Sequence, residues 1–292
     1  MNNTLAAQFE TYRPLLFGLA YRMLGTGTEA EDIVQDVYLR ARAVPLAQVE
    51  NAKAYLTTIV TRLSLNRLQS ASQQRETYLG PWLPEPVLTA HLPDLANPQD
   101  QALLHDSLSM AFLMLLEKLS PAERAVFLLH ELFDYSYLEI GSMLDKSNDA
   151  CRQLGRRARQ HIAANRPRFN SDPAEQERLL RGFLQVMEVG DLAGFLALLT
   201  EEVTLVPDGG GERGAAIQVL RGPEAVARFL LGVRKLSPPG LQAEIVSLNG
   251  RPSLLFTTQG KPFSVICVYG VDGRIDLIQL IAGKKLTHLK PY

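Results

Sequence analysis

Apolar residues at three- and four-residue steps dominate the first quarter of the chain. Leu5, Phe9, Tyr12, Leu16, Leu19 and Met23 form one such series, the mark of a helix that buries a single stripe. Pro14 lies within it and predicts a kink or a second start, and Gly25 ends it. Thr28 with Glu31 has the spacing of a capping box and predicts a second helix through Arg42. A third helical pattern runs from Asn51 to Glu76, with Leu56, Ile59, Val60, Leu63 and Leu68 inward. From Gly80 to Pro98 the periodicity stops. The run GPWLPEP, then Pro93 and Pro98, excludes regular helix and central strand and predicts a linker. Three or four helices follow, and Ser120-Pro121-Ala122-Glu123 and Ser136-Tyr137-Leu138-Glu139 both read as capping boxes. Ser147 caps a last helix through Asn165.

Asp172-Pro173-Ala174-Glu175 opens a region of different character. Two helices, Ala174 to Val189 and Leu192 to Leu199, precede a short strand at Val203 to Val206 and the loop DGGGE. Another strand and a helix from Pro223 to Lys235 come next. Four β-rich segments then alternate with the turn signals Asn249-Gly250, Gln259-Gly260 and Asp272-Gly273. The order predicts an α+β domain with a curled sheet.

Bulk composition changes this picture little. The 292 residues allow two or three small domains, and 46% hydrophobic content suits globular packing. No apolar run is long enough to cross a bilayer, and the N-terminus lacks the layout of a signal peptide. Cys151 and Cys267 stand far apart in unlike contexts, against a disulfide framework or a cysteine metal site and for a reducing cytoplasm. Charge is more informative. The net value is −1, yet six arginines and no acid lie between Arg152 and Arg168, so a locally basic stripe sits on a neutral chain. Such a stripe suits DNA contact that draws much of its affinity from a partner.

Two helices carry candidate chemistry. In the pair from Tyr137 to Ile162, Leu138, Ile140 and Leu144 supply apolar positions before a short Asp145-Lys146-Ser147 turn. On the second helix Cys151, Leu154, Ala158 and Ile162 share one face, and Asp149, Arg152, Gln153, Arg156 and Arg157 share the other. A helix-turn-helix needs this division, one stripe packing the helix down while Arg and Gln reach base edges and phosphates. A solvated charged face in a helical bundle is the bland alternative. The helix from Thr28 to Arg42 buries Ala30, Ile33, Val34, Val37 and Ala41 and leaves Asp32, Gln35, Asp36, Leu39 and Arg40 elsewhere. By spacing alone that polar set is an ordinary solvated face.

GLAYRMLGTGTEAEDIVQDVYLRAR resembles the polymerase-docking region of extracytoplasmic-function sigma factors, and LSPAERAVFLLHELFDYSYLEIGSMLDKSNDACRQLGRRAR resembles their region-four domain, which reads the −35 element. YLGPWLPEP, DGGGE and NGRPSLL resemble the subgroup with a SnoaL-like C-terminal extension. The resemblance implies a multidomain chain of two all-α helical domains followed by an α+β, cone-shaped SnoaL-like domain. Its expected boundaries are 1–76 for region two, 77–98 for the Pro-rich linker, 99–167 for the helix-turn-helix region four and 172–286 for the regulatory domain. Asp32, Gln35, Asp36, Leu39 and Arg40 are then expected to dock on core RNA polymerase. Tyr55, Thr58, Arg62, Asn66 and Gln69 would hold the separated −10 strand. Asn148, Arg152, Gln153, Arg156 and Arg157 would read the −35 element of promoter DNA. Trp82, Leu83, Pro84, Asp208, Gly209, Gly210 and Gly211 would make a regulatory contact within the chain. The family commonly has Asn where Arg62 stands and Asp where Asn66 stands. The last glycine-rich motif commonly ends in Lys, where this chain has Glu212, and the usual NPDKL reads AGKKL from Ala282 to Leu286. No contact residue of the AGKKL motif is therefore carried over.

No cofactor, metal, enzyme activity or membrane association is implied; a small-molecule ligand of the C-terminal cone is left open. Two other readings compete. A free-standing helix-turn-helix regulator would have to supply its own phosphate contacts and leaves the Thr28–Arg42 stripe unexplained. An enzyme would need converging acid–base groups, and the last domain offers few beyond Glu244, Asp272, Asp276 and His288. Asp272 sits in an Asp-Gly turn, where its role is structural.

Overall fold

A computed structural model describes residues 5–76, 78–91, 107–165, 172–211, 218–287 and 289. Glu212 and His288 therefore lie outside the described residues. The chain divides into two compact units. One comprises residues 1–76 and 90–166; the other comprises 77–89 and 167–292.

The first unit is all helix. Helices α1 (Ala6–Leu24), α2 (Gly27–Ala41) and α3 (Ala52–Glu76) pack through Leu16, Leu19, Val34, Val37, Leu56 and Val60. Pro14 is accommodated inside a continuous α1, and Gly25 closes that helix in the left-handed conformation at φ 74°. The start of α2 corrects the expected capping box. Its N-cap is Thr26, whose hydroxyl donates to Glu29 at 2.9 Å, rather than Thr28 with Glu31. Helices α4 (Met110–Glu117), α5 (Pro121–Glu131), α6 (Tyr137–Leu144) and α7 (Asn148–Asn165) follow. Both Ser-x-x-Glu capping boxes form as the sequence predicts, at Ser120/Glu123 and Ser136/Glu139.

Buried polar bridges tie these helices together. Arg22, fully buried on α1, donates from Nε to Ser107 at 2.9 Å and from a terminal nitrogen to the Gly18 carbonyl at 2.9 Å. Burial pulls its pKa down to about 9, which leaves it cationic at neutral pH. Arg124 on α5 reaches the Met23 carbonyl at 2.5 Å and Glu117 at 2.8 Å. Tyr135 donates to Thr57 on α3 at 3.1 Å.

The second unit is α+β. After α8 (Pro173–Val189) and α9 (Leu192–Leu198) come strands β1 (Leu199–Asp208) and β2 (Leu220–Arg221), then α10 (Pro223–Leu236). Strands β3 (Gln242–Leu248), β4 (Arg251–Thr258), β5 (Lys261–Val271) and β6 (Arg274–Ala282) complete a sheet of order β2-β1-β6-β5-β4-β3. Only the β1–β6 pairing is parallel among the described strands. The three hairpin turns all take positive φ at both central residues, 52° and 75° at Asn249-Gly250 for example, as right-twisted two-residue hairpins require. One sheet face, with Leu205, Leu254, Ile266, Val268 and Ile278, packs on Phe183 of α8, Phe195 of α9 and Leu230 of α10. Phe183 and Phe195 meet edge to face at 5.2 Å.

Candidate functional site

Helices α6 and α7 are joined by a tight turn. Asp145 takes a left-handed φ of 53°, and its N–H caps α6 on the Gly141 carbonyl. A β-carbon on Gly141 would lie 2.7 Å from the Lys146 carbonyl oxygen, so the close approach requires glycine. Cys151, Gly155, Ala158 and Ile162 are buried along α7, as the periodicity predicts apart from the extra Gly155 and a half-buried Leu154. Tyr137 packs over Gly155, where a β-carbon would sit 2.7 Å from its hydroxyl. That hydroxyl accepts from Arg159, which also pairs with Glu131 at 2.8 Å. Burial pushes the Cys151 thiol up, which makes it a small packing residue and not a thiolate. Leu138 departs from its expected inward place. It is 68% exposed because the packing face of α6 is set by Ile140, Gly141 and Met143.

The outer face of α7 presents Arg152, Gln153, Arg156 and Arg157, all exposed, with a half-buried Asn148 at its start. Asn148 accepts from Arg152 Nε at 3.1 Å and so orients that guanidinium. Gln153, Arg156 and Arg157 make no side-chain hydrogen bond or ion pair to any described residue. On α2, Asp32, Gln35, Asp36, Leu39 and Arg40 are exposed, and Leu39 stands 58% open as an apolar residue within a polar stripe.

Tyr55, Thr58, Arg62, Asn66 and Gln69 fall on one stripe of α3, exposed except for a half-buried Thr58 whose hydroxyl returns to the Ala54 carbonyl at 2.8 Å. Arg62 does not point into solvent alone. It donates from Nε to the Met143 carbonyl at 2.7 Å and from a terminal nitrogen to Asp145 at 3.0 Å, so it grips the turn of the helix-turn-helix.

The second unit gathers the linker and loop residues around one carboxylate. Asp208 ends β1 with its side chain wholly buried. Its Oδ1 accepts from the Tyr78 hydroxyl and from the Gly210 N–H at 2.9 Å; its Oδ2 accepts from the Leu83 N–H at 2.6 Å and from Lys285 Nζ at 2.6 Å. Lys285 also donates to the Leu83 carbonyl and lies over the rings of Trp82 and Tyr78, 4.1 and 5.1 Å from their centroids. Burial and the bond to Asp208 push the Tyr78 phenol far above its ordinary value, so it stays a hydrogen-bond donor. Gly210 and Gly211 both take φ 75°, and a β-carbon on Gly211 would stand 3.0 Å from the Tyr78 ring.

Further along the linker, Val87 exchanges both backbone bonds with Asn249, N–H to Oδ1 at 2.8 Å and carbonyl to N–H at 2.9 Å. Leu88 bridges Leu248, and the Thr89 hydroxyl meets Ser247 at 2.8 Å. Trp82 and Leu83 play different parts in this contact. Leu83 is the residue seated fully, at 0% exposure, while Trp82 is half-buried as a lid on Lys285. Tyr78, Asn249 and Lys285 were missing from the residue set predicted for this contact. The Lys285 signal lay in AGKKL, whose Lys keeps the family's position although its neighbours differ.

Among the described residues no group of His, Cys, Asp and Glu is arranged to hold a metal ion, and no helix is long and apolar enough to cross a membrane.

Residues 8–74 match the family Sigma-70 region 2, and residues 109–162 match Sigma-70, region 4. The chain is 37% identical over 270 residues to ECF RNA polymerase sigma factor SigJ of Mycobacterium tuberculosis, an alignment covering 91% of this chain and 83% of that one. It is 33% identical over 284 residues to the probable ECF RNA polymerase sigma factor SigI of the same species, covering 96% and 93%. The crystal structure of Mycobacterium tuberculosis SigJ superposes with a TM-score of 0.75 at 32% identity, covering 98% of this chain and 99% of that one. Helices bearing both sigma-70 regions, an outward basic face on the second helix of a helix-turn-helix, and these full-length likenesses together place the chain in the extracytoplasmic-function family of RNA polymerase sigma factors.

Proposed function

We propose that this sigma factor docks on core RNA polymerase through the exposed stripe of α2, holds the −10 strand along α3, and reads the −35 element with α7. The observation that carries the reading is the face formed by Arg152, Gln153, Arg156 and Arg157. It is exposed and rigidly backed by Cys151, Gly155, Ala158 and Ile162, and three of the four side chains have no hydrogen-bond or ion-pair partner among the described residues. Such a face suits phosphates and guanine edges. Arg156→Ala is expected to lose about 1–3 kcal/mol of promoter binding and to relax preference at one −35 position, if the arginine forks onto a base. Transcription from a promoter library with core polymerase tests this. Uniform weakening across the library would assign Arg156 to phosphate, and unchanged output would remove it from the interface.

The α2 stripe has its own test. Asp36→Arg and Leu39→Asp are both expected to weaken capture of core polymerase at least ten-fold, a loss of about 1.4 kcal/mol or more. Thermal stability should stay unchanged, because both positions are exposed. Wild-type capture by both variants would defeat the docking assignment.

We read the contact around Asp208 as the regulatory element of the chain. A linker fixed on its own C-terminal domain limits the separations the two sigma regions can adopt, and tethering keeps such a contact formed at high effective concentration. The grip of Arg62 on Met143 and Asp145 supports a resting form in which part of the −10 surface is engaged within the protein. The C-terminal domain is read as a regulator and not a catalyst. Glu244 is exposed on β3, Asp272 occupies a turn at φ 49°, and Asp276 accepts from Thr200 at 2.6 Å, so these carboxylates do not converge.

A further inference from the structure

Asn148 opens α7 and Arg152 lies one turn further on, so the two side chains are neighbours at i, i+4 spacing. Asn148 Oδ1 accepts from Arg152 Nε at 3.1 Å. The helix start does not depend on that amide, because the Ser147 hydroxyl accepts from the Ala150 N–H at 3.2 Å and supplies the cap. Cys151 and Gly155 are buried on the packing face and fix this turn of the helix.

The nature of the partner matters. Arg62, Arg124 and Arg159 each pair with a carboxylate, on Asp145, Glu117 and Glu131 respectively. Arg152 bonds instead to a neutral amide, although the exposed Asp149 stands three residues before it, and it makes no ion pair with any described residue. A neutral acceptor orients the guanidinium and leaves its charge for DNA. Orientation before binding also spares rotamer entropy that a free arginine would lose on docking.

The bond selects which edge of the guanidinium stays open. An arginine forks either through Nε and one terminal nitrogen or through both terminal nitrogens. With Nε–H on Asn148, the end-on fork of the terminal nitrogens is the one left free. That fork matches two acceptors side by side. In the major groove guanine offers them as N7 and O6. Adenine sets an amino donor beside N7, cytosine shows an amino donor, and thymine has one acceptor next to its methyl group. The N-terminal part of a recognition helix is the part that meets base edges.

We propose, resting on the reading of α7 as the −35 reader, that Arg152 reads a guanine on either strand of that element and that Asn148 is the positioning residue that presents its fork. Asn148 then acts by orienting Arg152 and not by touching DNA.

The test uses holoenzyme assembled from core polymerase and the full chain, transcribing a promoter library randomised across the −35 element. Wild type is expected to prefer guanine at one position by about ten-fold or more over each other base. Arg152→Ala should flatten that position while the others keep their preferences. Asn148→Ala should cut the guanine preference about five-fold, the loss of one orienting hydrogen bond, with thermal melting unchanged. Asn148→Asp keeps an acceptor for Nε, so it should retain the guanine preference even as its added charge lowers output from every promoter. Uniform weakening by Arg152→Ala, with base preferences kept, would put Arg152 on phosphate and overturn the proposal. So would an unchanged guanine preference in Asn148→Ala, or an equal loss of it in Asn148→Ala and Asn148→Asp, which would make the amide a part of the helix start alone. The underlying reading fails separately: if Arg152, Gln153, Arg156 and Arg157 are all replaced by Ala and every −35 preference survives, α7 is not the reader.

Discussion

Asp208→Ala is expected to destabilise the C-terminal unit by about 3–5 kcal/mol, the range for removing one partner of a buried charge pair. The substitution leaves Lys285 beside Trp82 and Tyr78 without its counter-ion and strips acceptors from Tyr78 and from the Leu83 and Gly210 N–H groups. The Coulomb term matters less than the desolvation that Asp208 offsets, since a buried ammonium without a carboxylate carries the full penalty. Release of the linker should follow, because Leu83 is held through both its N–H and its carbonyl by the same pair. Urea denaturation and limited proteolysis between residues 78 and 89 measure the two effects. A protein as stable as wild type and equally protected in the linker would rule out the clamp. Lys285→Met in the Asp208→Leu background should recover part of the loss, since an apolar pair of similar volume avoids desolvation altogether. Altered transcription in the clamp variants, with α7 untouched, is the outcome that ties the contact to regulation.

Arg124→Met should have an effect of similar size in the helical unit, about 3–5 kcal/mol. Arg124 is 3% exposed, and its guanidinium joins Glu117 on α4 to the carbonyl of Met23 at the end of α1. Removing it takes from Glu117, only 17% exposed at its side chain, the guanidinium that pairs with it at 2.8 Å. Combining Arg124→Met with Glu117→Gln should lose less than the sum of the single changes, since the second neutralises the charge whose ion pair the first removes. Thermal melts and a double-mutant cycle measure both. Single variants within ~0.5 kcal/mol of wild type would show the bridge to be incidental. The same change cuts a link between the elements of region 2 and those of region 4, so hydrogen exchange along α1 and α5 should rise together.

The local parts of this protein were readable from its sequence because their physics is local. Both Ser-x-x-Glu boxes, the left-handed Gly25, the three Xaa-Gly hairpins and the division of α7 into a packed and a basic face depend on neighbours within four residues. The start of α2 shows the limit. Thr26/Glu29 and Thr28/Glu31 offer overlapping Thr-x-x-Glu spacings, and the choice of Thr26 as the N-cap, with Gly27 buried, is a tertiary outcome.

Long-range partners left no such trace. A lysine is by default solvated, and local spacing does not predict the burial of Lys285; only the AGKKL motif marks its position. Its partners Asp208 and Leu83 lie 77 and 202 residues away, and only closure of β1 beside β6 with the linker laid across them brings the three together. Arg62 is similar: helical spacing puts it on an outward stripe, while its partner Asp145 is 83 residues distant. A cavity of about 290 Å³ between the sheet and helices α8 and α10 is further still from the sequence, because an unfilled volume belongs to no residue. The sequence by itself determined which helices and strands form and which face of each is apolar. The tertiary structure alone decided which charges are buried, what neutralises them and where the packing stops short, since desolvation and void volume are set by atoms that meet only after folding.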